Sequence, residues 1–251
     1  MIELPGVRPR RQCVILAGGF GTRMRPLTER CPKSMLPAAG KPFVDHQLAW
    51  LAAEGITDVV FSIGYHGEMI RDYVGAGLWG LRVVYVDEGS ELRGTAGALR
   101  LASREGALDP AFAVVYGDSY PRVPLRPLWD AFTSSGLPAA MAALRNRGKW
   151  DRSNVVFRGG RIVLYDKTVR DPAPDEFEYI DSGVSILTRG LIDGRVPETG
   201  PSDLAPLFHS LSREGLLAGF EATQRFYEIG SPQGLSDFEA FLASTPPDPP
   251  L

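Results

Sequence analysis

The segment VILAGGFGTRMRPLTERCPKSMLPAAGKP, from Val14 to Pro42, indicates both the fold and the ligand class of this chain. An apolar run from Cys13 to Ala17 ends at a pair of glycines, as a buried strand does where it enters a tight loop. The next stretch, Gly18 to Arg23, holds three glycines and ends on Thr-Arg. Glycines let backbone N–H groups approach phosphate oxygens, and an arginine adds charge. We therefore predict a phosphate-binding loop, against the alternative of a tight turn that binds nothing.

Two common phosphate loops do not match this segment. No Lys-Ser or Lys-Thr pair follows Gly18 at the P-loop spacing, and the dinucleotide pattern GxGxxG would need glycine where Met24 stands. Lys33 follows on a stiff segment between Pro32 and Pro37. Such a lysine is usually a solvated surface residue, but together with the loop it is a candidate for neutralising phosphate charge in a transition state.

The first half of the chain alternates predicted strands and helices. Besides the strand that ends at Ala17, the apolar patterns predict strands at 58–63, 81–86 and 111–116 and helices at 42–54, 68–74 and 94–103. This order is typical of an α/β fold with a Rossmann-like, mostly parallel sheet flanked by helices. Ligands of such sheets bind at the carboxyl ends of the strands, where the glycine loop and Asp118 both lie.

The second half has a different pattern. A Gly159-Gly160 turn predicts a β-hairpin over 154–166, followed by a strand at 179–187 and helices at 203–214 and 231–242. We interpret the hairpin as a small β-rich insertion, and we find no repeat that would form a β-helix domain. The predicted organisation is an N-terminal extension (1–11), one domain (12–243) with halves at about 12–125 and 126–243, and a Pro-rich disordered tail (244–251).

Composition excludes several classes of protein. The 251 residues carry 27 Lys and Arg against 30 Asp and Glu, a net charge of −3 that argues against a protein that coats nucleic acid. Two cysteines are too few for a disulfide framework, and no apolar run approaches the roughly 20 residues that span a bilayer. We expect a cytoplasmic protein without nucleic-acid or membrane partners, as a monomer or small homo-oligomer.

The whole segment from Val14 to Pro42 closely resembles the N-terminal signature of the sugar-1-phosphate nucleotidyltransferases, LAGGxGTRLxPLTxxxPKPMxPVxGKP. Ser34 and Ala38 depart from the commonest residues. The resemblance implies a nucleoside triphosphate and a sugar 1-phosphate as substrates. It also implies a catalytic role for Arg23 and Lys33 on the phosphates. The residues that it places around the nucleotide are Leu16, Ala17, Gly18, Gly19, Gly21, Thr22 and Arg23.

Two further matches imply a Mg²⁺ site. The family carries a metal-binding Gly-Asp at a strand end, which corresponds to Gly117-Asp118. Its late W-x-D-I-G-T-P segment corresponds to residues 226–232, where Glu228 replaces the aspartate. Mg²⁺ favours one or two carboxylates plus phosphate oxygens. We expect Asp118 to be catalytic through the metal, with Glu228 as the second ligand. By itself, an aspartate at a strand end more often caps a turn.

The same resemblance implies acceptor-binding residues in the second half. Asp166-Lys167 stands where the family has Glu-Lys, whose lysine contacts the sugar 1-phosphate. Asp181 stands at the family's Asn-x-Gly, and Asn154 lies in its altered Tyr-Gly-Val-Val segment. These changes suggest an acceptor other than glucose 1-phosphate.

The base is assigned to the segment from Glu88 to Ala98, which resembles the family's (E/Q)…L-G-T-A-G-A-L and includes Gly94 and Thr95. A carboxylate could accept both N1–H and N2–H of guanine. The sequence pattern also resembles that of the guanylyltransferases that activate manno-configured heptose or mannose 1-phosphates. We therefore favour GTP, although Glu88 could equally be a solvated loop residue.

Three alternatives to this enzyme remain open. The first is the same chemistry with UTP or CTP, and the second is a non-sugar phosphorylated acceptor. The third is a non-catalytic relative that binds a nucleotide-sugar, although it would be expected to lose Asp118 or Lys33, which this chain keeps.

Overall fold

The computed structural model describes residues 11–169 and 177–244. The predicted tail, except residue 244, and the predicted extension, except residue 11, lie outside the described residues. Among the described residues no helix is both long and apolar enough to cross a membrane. The cytoplasmic location, the oligomeric state and the division into halves stay predictions.

The described strands are β1 (Gln12–Ala17), β2 (Pro37–Ala38), β3 (Lys41–Pro42), β4 (Asp58–Ile63), β5 (Arg82–Asp87), β6 (Ala111–Tyr116), β7 (Ser119–Tyr120), β8 (Ala139–Arg145), β9 (Val155–Arg158), β10 (Arg161–Tyr165), β11 (Tyr179–Thr188), β12 (Leu217–Ala222) and β13 (Tyr227–Glu228). The described helices are α1 (Phe43–Ala53), α2 (Gly67–Val74), α3 (Gly94–Arg104), α4 (Leu125–Ser135), α5 (Arg189–Arg195), α6 (Leu204–Arg213) and α7 (Pro232–Ser244).

The nine longer strands form one sheet in the order β5-β4-β1-β6-β11-β8-β12-β10-β9. The first four strands are parallel, as predicted for the first half. Beyond β6 the sheet is mixed and not mostly parallel as predicted, because β11 runs antiparallel to both β6 and β8 whereas β12 runs parallel to β8. No local pattern indicates this reversal, since a strand buried on both faces has the same apolar pattern in either direction.

The hairpin of β9 and β10 is also placed differently from the prediction. It is not a separate insertion, because β10 pairs with β12 and β9 pairs with β11 at Tyr179, which makes the hairpin part of the main sheet. Five elements that were not predicted, α4, α5, β8, β12 and β13, also belong to this half. Strand β8 reads AAMAALR, a composition that disfavours strands, and its first six residues are buried. Its place between β11 and β12 overrides the local preference.

Both faces of the sheet are covered by helices. Along β1, Cys13, Ile15 and Ala17 pack into one cluster with apolar residues of α1, α2 and α4. Val14 points to the other face and packs with residues of α3, α5 and α6. Successive residues of β1 therefore point to opposite faces of the sheet, and both faces are buried. This explains the continuous apolar run at the start of the segment from Val14 to Pro42. The α/β fold predicted from the sequence is confirmed. The carboxyl ends of its parallel strands lie at one edge of the sheet, where a site can form.

Candidate active site

Two adjoining cavities lie at the carboxyl ends of the parallel strands. The first, of about 230 Å³, is lined by Leu16, Ala17, Gly18, Gly19, Lys33, Ser34, Glu88, Leu92, Gly94, Thr95, Ala98, Tyr116, Gly117, Asp118 and Asp203. The second, of about 540 Å³, is lined by Arg23, Tyr116, Asp118, Asp151, Arg152, Asn154, Lys167, Ile180, Asp181, Gly183, Phe226 and Glu228. Tyr116 and Asp118 line both cavities. A ligand in one can therefore meet a ligand in the other beside Asp118.

Two of the three glycines in the loop, Gly18 and Gly21, have neighbours in the way of a side chain. A Cβ on Gly18 would collide with the carboxylate of Glu88. At Gly21 the backbone is left-handed (φ +61°), and a Cβ would lie 2.9 Å from Cγ of Lys33. These glycines therefore let the loop pack directly on the side chains that line the first cavity. The side chain of Thr28 holds the loop in place, because its hydroxyl donates a 2.8 Å hydrogen bond to the carbonyl of Gly21.

Lys33 and Asp118 form the central ion pair of the site. The Nζ of Lys33 lies 2.5 Å from Oδ2 of Asp118, and both side chains are about four-fifths buried. Lys33 begins a 3-10 turn (Lys33–Met35) that holds it beside the glycine loop. The residues that the sequence separates by 85 positions are thus brought into direct contact, and the pair offers both a cation and a carboxylate to a phosphate group.

Glu228 lies beside Asp118 because β13 pairs with β7. Glu228 is opposite Ser119, and the N–H of Ile229 donates to the carbonyl of Asp118 at 2.9 Å. Desolvation in the cavity, reinforced by the negative charges of Asp118 and Asp181, raises the pKa of Glu228 to about 7. Arg23 is close by, since a Cβ on Gly230 would lie 3.4 Å from its Nη2 and 3.8 Å from Oδ2 of Asp118.

The chemistry of this carboxylate pair fits Mg²⁺ in one particular way. Among the described residues there is no group of three or more His, Cys, Asp or Glu side chains that could enclose an ion. Asp118 and Glu228 are two carboxylates whose mutual repulsion a cation would relieve. Mg²⁺ bound by two carboxylates takes its remaining ligands from water and phosphate oxygens, so the donor set suits a metal that arrives with a nucleotide.

The second cavity has Lys167 and Asp181 on its wall. Asp181 is buried, and its carboxylate accepts hydrogen bonds from the N–H of Gly183 (2.9 Å) and the hydroxyl of Tyr165 (3.3 Å). The Nζ of Lys167 lies 3.9 Å from Oδ2 of Asp181 and 5.6 Å from the ring centre of Tyr116. Asn154 fixes this wall, since its Oδ1 accepts from the N–H of Asp181 at 3.0 Å. Lys167 thus presents a positive charge to whatever fills the second cavity.

Asp166 is the one predicted acceptor residue that is not brought to this cavity. Its carboxylate accepts hydrogen bonds from the N–H and hydroxyl of Thr168, at 2.7 and 2.6 Å, which lower its pKa. It lines a separate cavity of about 390 Å³ with Thr168 and His209. An aspartate side chain is short and commonly folds onto the backbone two residues later, which accounts for this placement.

Comparison with known proteins supports the interpretation of this geometry. The Nucleotidyl transferase family model matches residues 12–149, more than half of the chain.

The chain belongs to the nucleotidyl transferase family.

Its curated relatives include mannose-1-phosphate guanylyltransferases. The enzyme of Mycobacterium tuberculosis is 30% identical over 243 residues, covering 93% of this chain and 66% of that protein. The enzyme of Gibberella zeae is 28% identical over 223 residues, covering 88% of this chain and 61% of that protein. The chain therefore spans about three fifths of the length of several curated relatives that it matches.

Solved structures show the same fold. HddC from Yersinia pseudotuberculosis superimposes with a TM-score of 0.76 at 21% identity, over 92% of this chain and 99% of that one. A UDP-glucose pyrophosphorylase complexed with UDP-glucose gives a TM-score of 0.74 at 18% identity, over 94% of this chain and all of the other. The family resemblance of the segment from Val14 to Pro42 is confirmed by the family model, which covers it.

The side chain of Glu88 is buried in the wall of the first cavity, so Glu88 is not a solvated loop residue. Its Oε1 accepts a 3.0 Å hydrogen bond from the hydroxyl of Ser62, and its Oε2 accepts a 3.3 Å bond from the N–H of Arg93. Burial raises its pKa. Both oxygens already have a protein donor, so the carboxylate also serves to hold the loop that leads through Arg93 into α3.

Gly94 and Thr95 line the first cavity, and a segment from the second half of the chain covers them. The carboxylate of Asp203 accepts from the N–H and hydroxyl of Thr95 at 2.9 and 3.1 Å. A Cβ on Gly94 would lie 2.5 Å from the carbonyl of Ser202. Gly94 is therefore required by the close approach of two chain segments.

Sequence reasoning assigned no function to several residues of the two cavities. Tyr116 is the clearest, because burial, followed by the charge of Asp181, raises its pKa well above the ordinary value and it lines both cavities. Its position directly before Gly117-Asp118 was an available signal. Asp203 was interpreted only as part of a helix start. Arg152 carried no signal, because only the tertiary structure brings its loop to the second cavity.

Proposed function

We propose that this protein is a Mg²⁺-dependent nucleotidyltransferase that joins a nucleoside triphosphate to a sugar 1-phosphate and releases pyrophosphate. The observation that carries the proposal is the meeting of the two cavities at Asp118 and Tyr116. A nucleotide in the first cavity and a phosphorylated acceptor in the second would have their phosphates side by side there.

The distribution of charge suits this transfer. An oxygen of the acceptor phosphate attacks the α-phosphorus, a new P–O bond forms, and the bond to the β-phosphate oxygen breaks in line with it. The acceptor is already anionic, so no protein nucleophile or base is needed. Lys33 lies on the wall of the first cavity, where it would balance charge on the triphosphate, and Lys167 lies on the wall of the second, where it would bind the acceptor phosphate.

Asp118 and Glu228 are the residues that would hold Mg²⁺, which when bound neutralises phosphate charge. Asp118 is paired with Lys33 in the structure. We infer that Lys33 leaves Asp118 for a phosphate oxygen when nucleotide and metal arrive. Arg23 lies near Asp118 and can bind a phosphate oxygen with the planar N–H donors of its guanidinium group.

For the base and the acceptor we propose GTP and a manno-configured hexose or heptose 1-phosphate. Two observations support this proposal. The relatives are named as mannose-1-phosphate guanylyltransferases, and Glu88 places a carboxylate on the wall of the first cavity. Asp181, which replaces the family's asparagine, would accept hydroxyl groups of the sugar.

The test is pyrophosphate release measured with each of the four NTPs against a panel of sugar 1-phosphates, inositol 1-phosphate and phosphocholine, with and without Mg²⁺. We expect turnover with GTP and mannose or heptose 1-phosphate, only when Mg²⁺ is present. Tight binding of a nucleotide-sugar without turnover on any acceptor would instead support a regulatory relative. Higher kcat/KM with UTP or CTP would overturn the base assignment and leave the reaction class intact.

Glu88→Gln tests the base assignment within the same panel. The variant keeps the size of the side chain but loses the acceptor-only carboxylate, so we expect the preference for GTP over UTP to fall by about tenfold. Glu91→Gln is the matched control, because Glu91 is exposed on the same loop and does not line either cavity. An unchanged preference in Glu88→Gln would assign base recognition to backbone groups.

A further inference from the structure

Asp203 is a carboxylate on the wall of the first cavity that uses only one of its two oxygens within the protein. Oδ1 accepts the two hydrogen bonds from Thr95, at 2.9 and 3.1 Å. Within residues 11–169 and 177–244, Oδ2 has no hydrogen-bond donor. The side chain is therefore anchored at one oxygen, while the other is available to a ligand.

The segment around Asp203 is held firmly against the start of α3. The carbonyl of Ser202 accepts from the N–H groups of Ala96 and Gly97, at 2.9 and 3.0 Å, and the N–H of Leu204 donates to the hydroxyl of Thr95 at 2.8 Å. These bonds satisfy the first N–H groups of the helix, which have no partner within it. Because the backbone on both sides of Asp203 is fixed in this way, the direction of its carboxylate is fixed as well.

Each of the other charged side chains of the first cavity also contacts a protein group. Lys33 is paired with Asp118, and both oxygens of Glu88 have protein donors. Asp203 lines the first cavity together with Glu88, on the proposed base side, and Asp118, on the proposed phosphate side. A nucleotide that spans from the Glu88 wall to Asp118 would have its ribose between these two sides.

We propose that Asp203 is a specificity-determining residue whose free Oδ2 accepts a hydrogen bond from a hydroxyl group of the nucleotide's ribose. A carboxylate accepts hydrogen bonds and repels phosphate, so of the parts of a nucleoside triphosphate it selects the hydroxyl groups and the N–H groups of the base. Carboxylates recognise ribose hydroxyls in this way in dinucleotide-binding folds. This inference rests on the proposed function only in that the first cavity holds the nucleoside triphosphate.

The test is equilibrium binding of GTP, 2′-deoxy-GTP and 3′-deoxy-GTP, in Mg²⁺ and without any acceptor, to the wild-type protein and to Asp203→Asn. Asparagine keeps the Oδ1 that accepts from Thr95 and replaces the free oxygen by an amide. We expect the wild-type protein to bind GTP about tenfold more tightly than at least one deoxy analogue. In Asp203→Asn this ratio should fall below about threefold, because a charged acceptor is lost.

The control variant is Asp87→Asn, which removes one negative charge near the first cavity without lining it. Its ratios should match those of the wild type. Equal binding of all three nucleotides by the wild-type protein would overturn the proposal, whether or not Asp203→Asn folds. An equal loss of affinity for all three in Asp203→Asn would also overturn it, because that is the result expected of a residue that only caps α3.

Two further results separate this inference from others. If Asp203→Asn raises KM for the acceptor and leaves the ribose preference intact, the hydroxyl belongs to the acceptor sugar and the proposal is wrong. Binding is measured without turnover, so a protein that discriminates ribose but transfers no nucleotide would contradict the proposed function and leave this inference standing.

Discussion

Glu228→Gln tests the carboxylate pair through the stability of the protein. The pKa of Glu228 rises from its ordinary value of 4.5 to about 7, because of desolvation in the cavity and the charges of Asp118 and Asp181. Ionising this group therefore opposes folding. A rise of this size corresponds to about 3 kcal/mol for a group shielded from water. The side chain of Glu228 still faces the solvent of an open cavity, so we take about 1 kcal/mol after screening.

The sign of the effect follows from the raised pKa. Below pH 4.5 both the native and the unfolded state are protonated and the wild-type protein bears no penalty. The penalty grows as the pH rises toward 7 and is complete above it. Glu228→Gln removes an ionisation that is unfavourable in the native state. The variant should therefore be more stable than the wild type by about 1 kcal/mol at pH 8, and by about a quarter of that at pH 5.

The assay is thermal unfolding without metal or nucleotide at pH 5 and pH 8. For a chain of this size, about 1 kcal/mol corresponds to a rise in Tm of about 2–4 °C at pH 8. Glu91→Gln, which changes an exposed carboxylate, should leave Tm unchanged at both pH values. A Glu228→Gln variant that is equally or less stable than the wild type at pH 8 would show that the cavity and its negative charges do not disfavour the ionised form of Glu228.

Asp118→Asn should lower kcat by at least about a hundredfold while leaving Tm within a few degrees, because it removes the carboxylate that would hold Mg²⁺; near-normal kcat at saturating Mg²⁺ would contradict the metal assignment. Lys33→Ala should chiefly lower kcat, and Lys167→Ala should chiefly raise KM for the acceptor, each by about 10- to 100-fold. The opposite pattern in steady-state kinetics would mean that the two cavities have been exchanged. Gly94→Ala should lower the free energy of unfolding by about 2 kcal/mol more than Gly106→Ala in urea denaturation. Both glycines have φ +71°, but only Gly94 has a neighbour, Ser202, in the way of a Cβ, so equal losses would refute the close approach.

Local sequence patterns were enough to predict the parallel half of the sheet and the class of site. Runs of four to six apolar residues that end in Gly-Gly or Gly-Asp can hardly be anything except buried strands entering loops, and β4 and β6 begin and end where predicted. The site residues of this half follow the strand ends directly. Their meeting place could therefore be predicted from the rule that parallel strands end at one edge. The glycine loop and Asp118 line the same cavity, as that rule implied.

Only the tertiary structure decided the second half and the fine structure of the site. The direction of β11 and the identity of β8 as a strand depend on their neighbours in the sheet, because an alanine-rich run buried on both faces has no local preference that fixes it. The same holds for Asp203, whose carboxylate reaches Thr95 across 108 positions of sequence. Local patterns report the burial and backbone geometry of each segment, whereas a hydrogen bond between distant segments depends on how the whole chain packs.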